Sequence, residues 1–158
     1  MLTDPATLAL VARYRAGVAL VDTALAGATD ADLDRRGPAA DDWCARQVVH
    51  HLADSETNSY VRLRRLLAEP APTAIQGYDE AHWATVLHYD RPIGASLAVL
   101  RAVRASSSEL LDTLEDTDLD RTGVHSDSGT YSLRDWLQIY ADHGEAHAAQ
   151  ISAAIAGA

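Results

Sequence analysis

The chain has 158 residues, 47% of them apolar, and sets 23 acidic side chains against 13 basic ones for a formal net charge of −10. That length suits one domain and buries about two-thirds of the unfolded surface, so folding needs neither a disulfide nor a metal. The acidity repels phosphate backbones and anionic lipid, which argues against nucleic-acid binding and polybasic membrane attachment. All 13 basic residues are Arg, so lysine-nucleophile and Schiff-base chemistry is excluded. Cys44 is the only cysteine, so no intrachain disulfide can form. The start, Met1-Leu2-Thr3-Asp4-Pro5, has no basic region leading into an apolar one, and no stretch approaches the roughly 20 apolar residues of a membrane span. The expectation is a single-domain cytoplasmic protein spanning residues 1–158.

Asp4-Pro5 reads as a cap followed by a first-turn proline. Leu8, Val11, Tyr14 or Arg15, Val18, Val21 and Leu25 then recur at helical spacing, and Gly27 closes the segment. Residues 28–42 are polar and turn-rich, with Gly37-Pro38 inside them. A second helix starts near Cys44 and runs to about Glu69, where Pro70 and Pro72 stop it. A linker with Gly77 leads to a shorter helix at about 79–88. A third long helix runs from about Gly94 to Leu114. Residues 116–130 are rich in Asp, Thr, Ser and Gly, and Ser126-Asp127-Ser128-Gly129 suits the turn of a short hairpin. Ser132, with Asp135 three residues on, opens the last helix, which runs to about Ile155. Trp43-Cys44 and Tyr131-Ser132 each put an aromatic residue before a cap; Cys44 reads as a weak one. Four long amphipathic helices with short connecting elements make an all-α four-helix bundle.

Seven histidines are many for this length. With His143 at zero on the last helix, His147 lies at about 40°, Trp136 at about 20° and Tyr140 at about 60°, at about 100° per residue. Arg134, Gln138, Asp142 and Glu145 take the other side, so both histidines point into the apolar stripe. On the second helix the stripe of Val48, Val49, Leu52, Leu63, Leu66 and Leu67 has His51 on its edge, while His50 falls about 160° from its centre. His50 is therefore expected to face away, at the surface with His82, His88 and His125. Of those, His125 is the one placed near a site mouth. Three inward histidines are either ordinary buried imidazoles with hydrogen-bond partners or ligands of one ion. A pair at i and i+4 with a third from a facing helix forms a trigonal face that leaves positions open, and imidazoles suit zinc, nickel, copper or iron. Asp54 and Glu56 are not clearly inward. The Arg62, Arg64, Arg65 group reads as a solvated face or a dimer rim. No Gly-x-Ser-x-Gly elbow, phosphate loop, Cys-x-x-Cys or His-Glu-x-x-His occurs.

Val48-Val49-His50-His51-Leu52-Ala53-Asp54-Ser55-Glu56, shortly after Trp43, resembles the second-helix signature of DinB/YfiT-like proteins. Tyr78-Asp79-Glu80 with Trp83 resembles the linker motif of the YfiT-like branch. Tyr140-Ala141-Asp142-His143-Gly144-Glu145-Ala146-His147-Ala148-Ala149-Gln150-Ile151 resembles the C-terminal pattern of the family. The similarity runs from about Trp43 to Ile151. It implies a four-helix bundle, commonly a homodimer, with one divalent metal ion on His51, His143 and His147. Two positions depart from the pattern: Cys44 stands where relatives carry a Ser or Thr cap, and Gly144 and Ala146 leave little bulk between the paired histidines.

The resemblance also implies that the chemistry varies, since some relatives use a low-molecular-weight thiol such as bacillithiol or mycothiol. Thiol S-transfer to a small electrophile ranks first, with the thiolate at the open position of a zinc or nickel ion. A hydrolase, in which the ion acidifies a water, ranks second because no general base is visible. A stress-induced metal-binding dimer without activity ranks third.

Overall fold

The computed structural model describes residues 1–36 and 42–157; Gly37-Pro38, in the stretch expected to be turn-rich, lies outside them. Helix α1 spans Pro5–Ala24, with the Asp4 side chain accepting from the Thr7 N–H at 2.9 Å. A short α2, Asp30–Leu33, opens on a reciprocal Thr29–Asp32 capping box inside the stretch read as turn-rich. Helix α3, Ala45–Ala68, begins after Cys44, whose backbone N–H donates to Gln47 Oε1 at 3.1 Å. Strand β1, Thr73–Ile75, and helix α4, Glu80–Val86, occupy the linker. Helix α5 is Gly94–Leu111, ending three residues before the expected boundary. A 3-10 turn at Asp116–Asp120 precedes strands β2, Thr122–His125, and β3, Gly129–Ser132. Helix α6, Leu133–Ala156, opens on a Ser132–Asp135 capping box and ends at Gly157, whose φ of 69° suits a residue without a Cβ.

The hairpin expected around residues 126–129 is present, with β2 and β3 antiparallel. Strand β1 was not expected. It pairs in parallel with β2, giving the order β1-β2-β3. Thr73 and Ile75 are buried and Ala74 is exposed, an alternation too short to stand out in a sequence. Gly123 lies opposite Thr73, where an added Cβ would sit 2.6 Å from the Thr73 carbonyl oxygen.

Helices α1, α3, α5 and α6 form the bundle, with α1 packed along α6 and α3 against α5 and α6. The core divides into two apolar clusters. Val11 and Tyr14 of α1, Leu63 and Leu66 of α3, Leu111 of α5, and Leu133, Trp136 and Leu137 of α6 build one. Val21 of α1, Val48, Val49 and Leu52 of α3, Leu100 of α5, and Ala148 and Ile151 of α6 build the other. Hence α1 and α6 run from the first cluster to the second, and α3 and α5 run back. Because α3 and α5 share a direction, the chain must cross the length of the bundle between them, which explains the long connection holding β1 and α4. Between the clusters lies a polar layer: Glu56, Arg104 and the histidines of α3 and α6.

Candidate metal centre

His51 comes from α3, and His143 and His147 come from successive turns of α6. Their i and i+4 spacing stacks the two α6 rings on the face that meets α3. His51 Nε2 and His143 Nε2 lie 3.2 Å apart, and His147 Nε2 and His143 Nε2 lie 3.1 Å apart. One ligating nitrogen from each of the three falls within 4.8 Å of the others. Two nitrogens each about 2.0–2.1 Å from a tetrahedral zinc stand about 3.3 Å apart, close to these spacings.

Protonation chemistry sharpens the reading. Gln150 Oε1 lies 2.7 Å from His147 Nδ1, so that nitrogen carries the proton and Nε2 presents a lone pair. Burial, with the charge of His147 adding to it, pushes the His51 pKa down to about 3. Burial followed by its two histidine neighbours takes His143 to about 2, and His147 is lowered by burial as well. All three rings are therefore neutral at pH 7. His143 Nε2 faces two nitrogens and is either a donor or an acceptor, so with His147 Nε2 a bare lone pair no arrangement of neutral rings satisfies both contacts: if His143 donates to His147 it has no lone pair for a proton from His51, and if it accepts from His51 it meets His147 lone pair to lone pair. A cation between the three satisfies every lone pair at once. The residues present fit a divalent metal.

The surroundings fix the rings. Trp43 meets His51 edge-on at 5.1 Å between ring centres, and Tyr140 meets His143 edge-on at 5.9 Å. Gln150 supports His147 as an outer partner of a ligating ring should. The Nδ1 atoms of His51 and His143 are buried without a protein partner.

His143 also lines a cleft of about 170 Å³ shared with Ser55, Arg62, Tyr78, Glu80, His125 and Tyr140. Arg62 donates to the Tyr140 hydroxyl at 2.9 Å and to the Gln76 carbonyl at 2.8 Å, tying α3 to α6 and to the linker. The Gly77 N–H donates to Ser126 Oγ at 2.9 Å, which holds the linker against the hairpin. Burial raises the Glu80 pKa against the pull of Arg62 and lowers that of His125. The cleft thus sets a carboxylate and an imidazole of shifted basicity beside the histidine cluster, the kind of pairing that marks reactive sites.

Several expectations need correction. His50 faces away from the cluster but is fully buried, not at the surface: its Nδ1 lies 2.7 Å from Ser96 Oγ and its Nε2 2.9 Å from the Arg91 carbonyl. Helix α5 and its lead-in cover the side of α3 that a two-faced wheel assigns to solvent. Glu56 is inward, 1% exposed and paired with Arg104. Burial pushes its carboxyl up and the guanidinium pulls it back. Arg62, Arg64 and Arg65 diverge: Arg62 enters the cleft, Arg64 reaches Ser106, and Arg65 pairs with Glu69. His82 and His88 are exposed, while His125 lines the cleft. Cys44 is buried.

The sequence profile of the DinB superfamily matches residues 10–151. The chain belongs to the DinB superfamily. Among similar proteins, one from Oceanobacillus iheyensis is 43% identical over 110 residues, covering 70% of this chain and 63% of its own. One from Halalkalibacterium halodurans is 34% identical over 113 residues, covering 72% and 66%. Both carry the name "putative metal-dependent hydrolase". The chain thus spans somewhat less than two-thirds of the length of the relatives it matches. The solved structure of YfiT from Bacillus subtilis superposes with a TM-score of 0.86 at 31% identity, covering 96% of this chain and 86% of that one. It is described as "a probable metal-dependent hydrolase with an unusual four-helix bundle topology". The paired directions of α1 with α6 and of α3 with α5 give this chain a four-helix bundle that is not a simple up-and-down one.

Proposed function

We propose that this DinB protein is a metal-dependent enzyme in which His51, His143 and His147 hold one divalent ion, zinc or nickel, and that it hydrolyses a small-molecule substrate. The observation that carries the reading is the convergence of three neutral imidazoles on nitrogen spacings of 3.1 and 3.2 Å beside a polar cleft. A bound divalent ion supplies Lewis acidity, lowering the pKa of a water or thiol at its open side. The chain's own groups do the rest. Gln150 fixes the tautomer of His147, Trp43 packs edge-on against His51, and Arg62 offers a fixed cation to a substrate in the cleft. Glu80, which lines the cleft at its solvent-exposed side and whose pKa partial desolvation raises, is the candidate proton acceptor. A carboxylate lining the same cleft as His143, together with the hydrolase naming of the relatives, supports ranking hydrolysis ahead of thiol transfer.

Thiol S-transfer is retained as the second reading on one observation: among the described residues no carboxylate is hydrogen-bonded to any of the three histidines. An incoming thiol needs no such base, and Cys44 is buried, so the thiol would be exogenous. A homodimer belongs to the same proposal, and sedimentation velocity tests it.

Purified protein, stripped and reloaded with zinc or nickel, is assayed on small esters and amides, and separately with bacillithiol or mycothiol and an electrophilic fluorophore. His147→Ala is expected to lose at least about tenfold in metal affinity and its activity with it. Metal-dependent turnover only with thiol would replace hydrolysis by the second reading. Failure of the wild-type protein to take up either metal would sink both.

A further inference from the structure

The polar layer contains one group that the proposed chemistry does not use. Arg104 of α5 is 2% exposed and Glu56 of α3 is 1% exposed, and the two form an ion pair inside the bundle. Arg104 Nη2 donates to Glu56 and, at 2.9 Å, to the Tyr140 carbonyl of α6; Nη1 donates to the Tyr14 carbonyl of α1 at 2.6 Å. One guanidinium therefore binds the other three bundle helices. Its plane is accommodated by two glycines. A Cβ on Gly17 of α1 would overlap Nη1, and one on Gly144 of α6 would lie 3.0 Å from Nη1 and 3.1 Å from the Gly17 Cα. The bareness of Gly144, a departure from the family pattern in the sequence, is thus the space that lets Arg104 in between α1 and α6.

The positions it grips are not arbitrary. Glu56 lies five residues after His51 on α3, and Tyr140 lies three before His143 on α6. Gly144 follows His143 directly. The clamp acts within about one and a half turns of the ligating rings on both helices. A buried ion pair is weak evidence for stability, because desolvation offsets the attraction and apolar replacements are often neutral. Its best-attested use is to fix register. A ligand set tolerates displacement of only about 0.5 Å, whereas apolar ridges let neighbouring helices slide into alternative packings. Fixing α3 against α6 is what a site split between those helices requires.

We propose that Arg104 and Glu56 are positioning residues for the metal centre, setting the register of α3 against α6 so that His51 meets His143 and His147. This rests on the metal reading above. The test compares zinc affinity, by competition with a chromophoric chelator, and the visible spectrum of the cobalt-loaded protein. Wild type is set beside the apolar double variant Arg104→Met with Glu56→Leu, and beside the single variants Arg104→Lys and Glu56→Gln. The double variant is expected to unfold cooperatively near the wild-type temperature, bind zinc at least about tenfold more weakly and show an altered cobalt band. Glu56→Gln keeps an acceptor for the guanidinium and is expected to stay within about threefold of wild type. Arg104→Lys, with one ammonium in place of a planar fork, cannot span acceptors on three helices and is expected to weaken with the double variant. If the double variant does not fold, the contrast between the lysine and glutamine variants decides. Wild-type affinity and spectrum in a folded double variant, or in Arg104→Lys, would overturn the proposal. A wild-type protein that binds no zinc shows a different failure, that of the metal reading itself, before any variant is compared.

Discussion

His50 fills a buried slot between Ser96 and the Arg91 carbonyl, and its ring packs 5.5 Å from that of Tyr89. Truncating it removes a buried ring and leaves a hydroxyl and a carbonyl without their partner. His50→Ala is therefore expected to cost about 2–4 kcal/mol, read from urea unfolding, while zinc affinity stays near that of wild type. Loss of metal equal to that of His147→Ala would instead place His50 among the ligands. The sequence separates His50 from His51 correctly by direction and wrongly by environment. A helical wheel knows the angle between adjacent residues, about 100°, but it does not know that α3 is covered on more than one side. Arg104 carries the complementary lesson. It sits with Leu100, Ser107 and Leu111 on the buried stripe of α5, so a charge in the core is visible as a violated pattern. Its partners come from three other helices, and no local spacing reveals them.

At the scale of elements, the long helices are legible because each signals its own start and end: Asp4 before Pro5, Ser132 with Asp135, Pro70 after α3, Gly157 after α6. The β2–β3 hairpin is legible from its turn residues. The β1–β2 pairing is not, because three residues joined in parallel to a strand 50 positions away leave no local pattern. That pairing matters to the site, since it brings the linker bearing Tyr78 and Glu80 against the hairpin bearing His125, and so closes the cleft. Gly123 is its weak point. A methyl group there meets the Thr73 carbonyl at 2.6 Å and the Ile75 side chain at 3.1 Å, so β1 must move away from β2. Gly123→Ala is expected to lose about 1–3 kcal/mol of stability and to speed amide exchange in β1 ahead of the four bundle helices. Uniform exchange in the variant would mean that the sheet and bundle open together.

At the scale of the molecule, two apolar clusters flank a polar layer that holds both the histidines and the Arg104–Glu56 pair. The clusters contain Trp136, Tyr14, Leu63, Leu133 and Ile151, each at most 0% exposed, and neither draws on a metal ligand for its packing. The bundle should therefore stand without its ion, unlike a small domain that folds around one. Protein treated with a chelator is expected to keep its helical circular dichroism and a single cooperative thermal transition. Zinc then acts by mass action on the folded state alone. At about 100 times its dissociation constant it adds about 2.7 kcal/mol, which in a domain of this size raises Tm by roughly 5–10 °C. The rise should grow with the logarithm of free zinc and vanish in His147→Ala. A chelated protein that loses its helices would make the ion part of the fold rather than a guest in it. A wild-type Tm indifferent to zinc and nickel would show that the three histidines hold neither.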